Sequence, residues 1–266
     1  MSFSYNRVMS DSIARFSNRA DNYAKYRPGY PPAVIDILKS DCGLTETSRI
    51  ADVGSGTGIL SEMFLKNGNP VIGIEPNPAM RQSAEFLRER FAKFISIDAT
   101  AEATSLEPAS VDFITAGQAF HWFDRGRARR EFARILKPGG WVVLVWNERR
   151  LDSTPFLRDY EKLLLRYGTD YQQVRHENVA GEIAQFFAPK TFQLKNLENE
   201  QHFDFESLKG RTRSASYTPE PGTPNFEPMF AQLEEIFHEH NREGIVTFEY
   251  DTRVYYGNLT DSSRLS

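Results

Sequence analysis

Three glycines alternate with other residues in one short run, Asp52-Val53-Gly54-Ser55-Gly56-Thr57-Gly58. The run follows a predicted strand and opens a predicted helix. Glycines there allow the backbone to turn tightly and a ligand to lie directly on amide groups. The exposed N–H groups at the start of the helix favour an anionic group of that ligand. The run alone predicts a nucleotide-like ligand, with a plain tight turn as the alternative interpretation.

Acidic residues around this run narrow the class of ligand. Glu75 ends the second predicted strand about twenty residues beyond Gly54, where a carboxylate can accept from both ribose hydroxyls. Dinucleotide enzymes use G-x-G-x-x-G, whereas here the spacing is G-x-G-x-G and Ile59 stands at the position of the later glycine. Asp52, directly before the turn, is unfavourable beside a pyrophosphate but suits a cationic ligand. S-adenosyl-L-methionine, which has no phosphate and carries a sulfonium and an ammonium, fits this charge pattern.

The elements that must position these residues follow a regular alternation. Short apolar runs and helical stretches alternate from about residue 48 to 147, which predicts a parallel sheet covered on both faces. The predicted strands there are Ser48 to Val53, Pro70 to Glu75, Phe94 to Ile97, Val111 to Ala116 and Trp141 to Trp146. The predicted helices lie near 58–67, 78–91 and 124–136, the last of them stopped by Leu136-Lys137-Pro138-Gly139-Gly140.

The flanks of this core have their own pattern. Upstream we predict a polar helix from Asp11 to Lys25 and a second helix opened by Pro31-Pro32. Downstream the predicted elements are helices from Thr154 to Gly168, near 179–187 and around Phe226 to Phe237, an extended stretch near 191–203, a polar segment from Gly210 to Tyr217 and a last strand from Val246 to Tyr256.

Five motifs in register resemble those of the class I S-adenosylmethionine-dependent methyltransferases. They are Ile50 to Leu60, Val71 to Asn77, Asp98 to Glu102, Ser110 to Ile114 leading into Gln118 to Phe123, and Leu136 to Gly140. Two runs, Tyr26-Arg27-Pro28-Gly29-Tyr30-Pro31 and Ala119-Phe120-His121-Trp122-Phe123, resemble a small-molecule branch of the type 11 methyltransferases that includes trans-aconitate methyltransferase-like proteins. The resemblance implies a Rossmann-like, doubly wound sheet of seven strands, mostly parallel, with the last strand antiparallel and a helical lid.

The residues and the resemblance together predict a cofactor site. Its members are Arg27, Asp52, Gly54, Ser55, Gly56, Glu75, Pro76, Asp98, Ala99, Gln118 and Ala119. By resemblance, the glycine turn would face the methionine moiety, Glu75 would bind the ribose and Asp98 would accept from the adenine amino group. Pro76 and Ala99 would flank the adenine, and Gln118 and Ala119 would lie beside the sulfonium. Arg27 is a candidate for the cofactor carboxylate or for an acidic substrate, with a surface ion pair as the alternative.

Candidates for the acceptor side follow the fourth strand and the later chain. His121, just past that strand, could serve as a general base or could be structural, and Trp122 could cover the ligand or simply pack. Arg211, Arg213 and Tyr217 could hold a carboxylate substrate, with ordinary salt bridging as the alternative. We predict no metal site, because Cys42 is the only cysteine and His238 and His240, two apart on a predicted helix, are interpreted as a surface pair.

Composition excludes several classes of partner. The net charge of -4 argues against a nucleic-acid partner. The longest purely apolar stretch, Trp141 to Trp146, is too short for a membrane span, and no signal pattern is visible, so we expect a cytoplasmic protein without a membrane partner. The oligomeric state stays open.

The prediction is one methyltransferase domain over residues 1–266. Residues 1–47 would form N-terminal helices over the cofactor site, 48–147 the cofactor-binding core, and 148–266 the lid helices and last two strands. The predicted activity is S-adenosyl-L-methionine-dependent methyl transfer to a small-molecule acceptor. The alternatives are a non-catalytic S-adenosylmethionine-binding protein and a nicotinamide-dependent oxidoreductase.

Overall fold

The computed structural model describes residues 25–174 and 179–259 as one mixed sheet with helices around it. Its strands are β1 (Ile50–Val53), β2 (Val71–Ile74), β3 (Phe94–Ile97), β4 (Val111–Gly117), β5 (Leu136–Arg149), β6 (Gln193–Phe203) and β7 (Val246–Gly257). Their order is β3-β2-β1-β4-β5-β7-β6. Strands β1 to β5 pair in parallel, while β7 pairs antiparallel with both β5 and β6. The predicted seven-stranded α/β sheet with an antiparallel last strand is confirmed.

Helices connect and cover the strands. They are α1 (Ala33–Cys42), α2 (Ile59–Lys66), α3 (Pro78–Ser83), α4 (Glu85–Arg90), α5 (Arg125–Ile135), α6 (Pro155–Tyr167), α7 (Tyr171–Val174), α8 (Val179–Phe187), α9 (Phe205–Arg213) and α10 (Phe226–His240). The single helix predicted for 78–91 is divided into α3 and α4 at Ala84. Most of the predicted helix from Asp11 to Lys25 lies outside the described residues.

Helix α9 contains the first half of the predicted polar segment from Gly210 to Tyr217. Asp204 caps the helix, because its carboxylate accepts from the Ser207 amide at 2.8 Å. Residues 210–213 therefore continue a helix that begins at Phe205, and only 214–217 form a turn. The capping aspartate, followed by Glu206 in the first turn, is the local signal that could have predicted it.

Strand β5 is longer than the predicted Trp141–Trp146 at both ends. Its first residues, Leu136 to Gly140, form an irregular start rather than a separate turn, and the register against β4 shifts between Val111 and Phe113. Its far end continues past β4, whose last pair is Gly117 with Val145, because β7 goes on pairing as far as Arg149 with Tyr250. Residues 146–149 thus extend beyond the carboxyl end of β4.

Three apolar clusters hold these layers together. Alternate residues of the strands divide between two sheet faces: Ala51, Val53 and Leu144 belong to one cluster, and Ile50 and Val143 to the other. A third cluster joins α6, α7, α9 and α10 to the first half of β7, with Phe248 fully buried in it. We call the elements that this third cluster joins, α6, α7, α9, α10 and the first half of β7, the lid. Among the described residues, no helix combines the length and apolarity that crossing a bilayer requires.

Candidate active site

The glycine turn leaves β1 at its carboxyl end and crosses the end of β2. The amides of Gly54 and Ser55 both donate to the Ile74 carbonyl, at 2.8 and 3.1 Å. Gly54 and Gly56 have positive φ angles of 67° and 56°, which favour glycine. A Cβ on Gly54 would lie 2.6 Å from that of Ala119, whereas one on Gly56 would meet no atom within 4 Å. Close packing therefore requires the first glycine, and the second borders open space.

Glu75 lies directly beside that open space. Its carboxylate accepts from the Gly56 amide at 3.0 Å through one oxygen and from the Asn77 amide at 2.8 Å through the other. Burial raises the pKa of this carboxyl, and the two amide hydrogen bonds oppose that shift. Each oxygen accepts one backbone bond and keeps further acceptor capacity, so the geometry permits two hydroxyl donors.

Asp52 is held behind the turn by two hydroxyl groups. Its oxygens accept from the Ser61 hydroxyl at 2.6 Å and the Thr115 hydroxyl at 3.0 Å, and the side chain is fully buried. Burial raises its pKa to about 6, against the lowering effect of these hydrogen bonds. The carboxylate thus ties β1 to α2 and β4, and the residue also borders a small cavity with the glycine turn. Its assignment to the cofactor site stays a prediction.

Asp98 follows β3 and is well exposed. Arg81 of α3 donates to its carboxylate at 2.7 Å and also to the Glu75 carbonyl at 2.7 Å. Arg81 was missed in the sequence, since nothing in its helix marks it as a link between two strand ends. Pro76 is half-buried and Ala99 is buried. They directly follow Glu75 and Asp98, the two residues that Arg81 joins. The adenine contacts assigned to these residues stay predictions.

Gln118 occupies the end of β4 in a strained conformation. Its φ is +56°, a region that non-glycine residues rarely adopt and that is often found at functional sites. The backbone amide donates to the Val145 carbonyl and the side-chain amide to the Asn147 carbonyl, each at 3.0 Å. Ala119 is buried next to Gly54. Gln118 and Ala119 therefore connect the glycine turn to the extended end of β5.

His121 and Trp122 form a short 3-10 turn with Phe120 after β4. Their rings lie 4.7 Å apart and both residues are half-buried. Neither borders the large cavity formed by the described residues. The role of His121 as a base and that of Trp122 toward the substrate stay predictions, and their position favours packing of the two rings against each other.

A cavity of about 740 Å³ opens between the end of β5 and the lid. Gln118 and Trp146 border it from the sheet, Glu161 and Tyr171 from α6 and α7, and Arg211 from α9. Arg27 and Tyr217 also border it. The structure therefore brings together two residues predicted for the cofactor, Arg27 and Gln118, and two predicted for the substrate, Arg211 and Tyr217. Arg27 donates to the Ser214 carbonyl at 3.1 Å, which joins the N-terminal turn to the end of α9.

Two arginines of this cavity are buried in different ways. Arg149 donates to Glu161 at 2.5 Å and to the Tyr171 hydroxyl at 3.1 Å. Arg211 is only 5% exposed and lies over the Phe248 ring at 5.7 Å. Its Nε and Nη1 atoms have no hydrogen-bond partner within residues 25–174 and 179–259. The sequence missed Arg149, Glu161 and Tyr171; a polar residue just beyond the apolar run of β5 was the available signal for Arg149.

Arg213 does not share this position. Two residues along a helix rotate the side chain by about 200°, so Arg211 and Arg213 cannot face the same way. Arg213 is exposed and lies over the rings of Phe230 and Phe226, at 5.1 and 5.7 Å. The prediction that it joins Arg211 at the substrate is corrected by this geometry.

The two histidines of α10 also differ from each other. His238 is exposed, as predicted for a surface residue. His240 is largely buried, and its Nε2 lies 2.8 Å from Asp159, so the prediction of a surface pair is corrected for this residue. Its neighbours Asp159 and Glu239 form an acidic group around it.

Comparison with known proteins adds an independent line of evidence. Residues 51–144 match the family described as a methyltransferase domain. A stretch of 139 residues is 37% identical to an uncharacterized methyltransferase of Mycobacterium tuberculosis, covering 52% of this chain and 54% of that protein. The match therefore spans about half the length of that relative.

Solved structures share the fold. The structure of a proposed type II methyltransferase from Anaeromyxobacter dehalogenans superposes with a TM-score of 0.68 at 23% identity, over 89% of this chain and 99% of that one. Phosphoethanolamine N-methyltransferase 2 of Haemonchus contortus, in complex with S-adenosyl-L-methionine, gives a TM-score of 0.51 at 16% identity, over 92% of this chain and 56% of that one. The matched stretch is thus similar to methyltransferase domains, and the solved structures show the shared fold.

Proposed function

We propose that this chain transfers a methyl group from S-adenosyl-L-methionine to a small-molecule acceptor bound in the large cavity. The observation that carries the proposal is the position of Gln118. It directly follows β4 and precedes Ala119, which packs against Gly54 of the glycine turn, and it borders the cavity. In open α/β sheets, ligands bind outside the carboxyl ends of the strands, where the strand order reverses. Here that point lies between β1 and β4.

The residues around the turn fit this cofactor. Gly56 borders open space, Glu75 offers carboxylate oxygens next to it, and the buried Thr57 hydroxyl has no partner among the described residues. Gly54, Ser55 and Gly56 would hold the methionine moiety, Glu75 the ribose, and Asp98, Pro76 and Ala99 the adenine. Gln118 and Ala119 would lie beside the sulfonium. When bound, the cofactor supplies a methyl group already activated by the positive sulfur.

The contribution of the protein is then mainly positional. Gln118 is held by two hydrogen bonds to β5, so it gives the reacting region a rigid wall. Tyr171 and Tyr217, whose rings lie 4.8 Å apart, enclose the cavity from the lid side. Alignment of an acceptor and exclusion of water are the effects such walls supply. A volume of about 740 Å³ lies in the range of small-molecule sites, which supports the small-molecule branch of the type 11 methyltransferases.

Two other functions give different experimental results. A nicotinamide-dependent oxidoreductase would bind NAD, and Ile59 in place of the later glycine argues against it. A non-catalytic binding protein would bind S-adenosylmethionine without turnover. The strained Gln118 at the edge of the large cavity favours an active enzyme over this second alternative.

The test is calorimetric titration of the full chain with S-adenosylhomocysteine and NAD, followed by transfer of labelled methyl to a panel of small acids and amines. We expect binding of S-adenosylhomocysteine, no binding of NAD, and transfer to at least one member of the panel. Binding of NAD without the sulfur nucleoside would refute the proposal, and nucleoside binding without transfer across the panel would favour the non-catalytic alternative.

A pair of glycine variants tests whether the cofactor binds at the glycine turn. Gly56 and Gly222 both have positive φ angles, 56° and 83°, and a Cβ on either would meet nothing within 4 Å. Gly56→Ala and Gly222→Ala should therefore carry similar backbone strain. Only Gly56→Ala should weaken S-adenosylhomocysteine binding, by at least about tenfold, because its methyl group occupies the cofactor space. Equal affinities in the two variants would contradict the assigned site.

A further inference from the structure

The charges around the large cavity are unevenly paired. Six cationic side chains border it, Arg27, Arg149, Arg150, Arg158, Lys162 and Arg211, against the four carboxylates of Glu148, Asp152, Glu161 and Asp251. Three of those carboxylates already have arginine partners. Arg149 binds Glu161 at 2.5 Å, Arg150 binds Asp251 at 2.8 Å, and Arg253 binds Glu148 at 2.9 Å. The lining therefore holds two more cations than carboxylates. Acids outside the cavity pair with two of these cations, Asp159 with Lys162 and Glu198 with Arg150, which leaves Arg158 and Arg211 without a carboxylate partner within the described ranges.

Arg211 is the most unusual of these cations. It is 5% exposed, yet no carboxylate forms an ion pair with it in the described part of the chain, and its Nε and Nη1 atoms lack acceptors there. The groups around it are aromatic: Phe248 lies below the guanidinium, and Tyr160, Tyr217 and Tyr250 are near it. A buried charge normally has a counter-charge and satisfied hydrogen bonds. Tyr250 hydrogen-bonds the guanidinium, but the described residues supply no counter-charge and leave two of its nitrogens without an acceptor. The missing partner is therefore expected from outside these residues.

A second buried donor that borders the same cavity also lacks a hydrogen-bond acceptor among the described residues. The indole Nε1 of Trp146 is buried and has no acceptor among the described residues, and Trp146 borders the cavity together with Arg211. Guanidinium and indole N–H groups can only donate. A ligand that satisfies both must be rich in acceptor atoms.

We infer that Arg211 is the anchor for an anionic group of the methyl acceptor, a carboxylate or a phosphate. The guanidinium presents a planar fork of donors that matches either anion in bidentate fashion. Tyr171, Tyr217 and Tyr250 would enclose the carbon skeleton of the acceptor, and Gln118 marks the wall of the same cavity that adjoins the proposed cofactor site. This inference rests on the proposed function, and it specifies the charge of the acceptor.

The experiment measures acid binding to the full chain saturated with S-adenosylhomocysteine. The probes are succinate, tricarballylate and phenyl phosphate, with dimethyl succinate as the uncharged control. We expect at least one acid to bind and dimethyl succinate not to bind. A carboxylate preference over phenyl phosphate, or the reverse, distinguishes the two anions. If S-adenosylhomocysteine binds but no acid does, or if the diester binds as tightly as succinate, the inference is overturned while the proposed function stands.

Two variants on one helix assign the effect to Arg211. Arg211→Met removes the charge but keeps an unbranched side chain, and it should weaken acid binding at least tenfold. Arg213→Met, on the exposed side of α9, should leave acid binding unchanged. Arg211→Lys keeps the charge but loses the fork, so it should give an intermediate affinity and serves if the methionine variant does not fold. S-adenosylhomocysteine affinity should be equal in all three. Acid binding by Arg211→Met or Arg211→Lys at wild-type strength would contradict the role of Arg211.

Discussion

The glycine turn and the large cavity face the same end of the sheet but are built in opposite ways. The proposed cofactor site at the turn is built from backbone: Gly54 and Gly56 have positive φ angles, and the nearby Glu75 accepts from main-chain amides. The cavity is lined by side chains from distant parts of the chain, among them Arg27, Arg211 and Asp251. A backbone site suits one invariant ligand, whereas a side-chain cavity can change its specificity by substitution without disturbing the fold.

The energetic basis of the two regions also differs. The turn depends on hydrogen bonds between neighbouring strand ends, such as those from Gly54 and Ser55 to the Ile74 carbonyl. The cavity depends on the lid core, where Phe248 lies under both Arg149 and Arg211, at 5.9 and 5.7 Å. This comparison predicts that each region can be disturbed without the other.

The largest effect is expected from Phe248→Ala. Phe248 is fully buried and its ring lies 4.8 Å from that of Tyr160 and 5.1 Å from that of Phe203. Loss of the ring should lower the free energy of unfolding by about 3–5 kcal/mol, measured by chemical denaturation. Phe86→Ala, at a residue 38% exposed, is the control and should change stability by less than about 1 kcal/mol.

The same variant tests the separation of the two regions. At a temperature where Phe248→Ala is folded, its affinity for S-adenosylhomocysteine should stay within about twofold of wild type, a difference of about 0.4 kcal/mol. A parallel loss of cofactor affinity would show that the lid core and the glycine turn form one unit, contrary to the comparison.

The next largest effect is the pH dependence of stability that Asp52, behind the glycine turn, should cause. Its pKa is raised by burial from the model-peptide value of 3.8 to about 6, so between these values the folded chain holds a proton that the unfolded chain has lost. The associated stability is fully present below about pH 4 and is lost as the pH rises through 6. The shift corresponds to about 3 kcal/mol.

Asp52→Asn removes this titration. Relative to the variant, wild type should lose up to about 3 kcal/mol of unfolding free energy between pH 4 and pH 7, measured by urea denaturation across that range. A difference that does not change with pH would mean that the folded-state pKa of Asp52 is not raised.

The smallest effect is expected from Glu75→Gln. The variant keeps one acceptor for the backbone amides but loses the charge that strengthens hydrogen bonds from ribose hydroxyls. S-adenosylhomocysteine affinity should fall by about 1–3 kcal/mol in calorimetry. Glu85→Gln is the control, since Glu85 is exposed on α4 and pairs only with Arg88 among the described residues. Equal affinities in both variants would remove Glu75 from the cofactor site.

The sequence alone determined the sheet and the cofactor side. Strand and helix alternation, the G-x-G-x-G run, and acids at the ends of β2 and β3 are local patterns, and parallel strands bring their carboxyl ends to one edge of a sheet without further information. The glycine turn and Glu75 could therefore be assigned from the residues themselves, and Asp98 and Gln118 from the family resemblance. The seven-stranded order follows from the same pattern and the family resemblance.

Only the tertiary structure decided which side chains form the cavity. Asp52 accepts from Ser61 and Thr115 behind the glycine turn, and Arg27 meets the end of α9, 187 residues later. Arg211 and Arg213 look equivalent in sequence, yet the helix turns one into the cavity and the other onto Phe226 and Phe230. Such contacts depend on how distant elements dock, and that docking is set by the packing of whole apolar surfaces, which no local periodicity encodes.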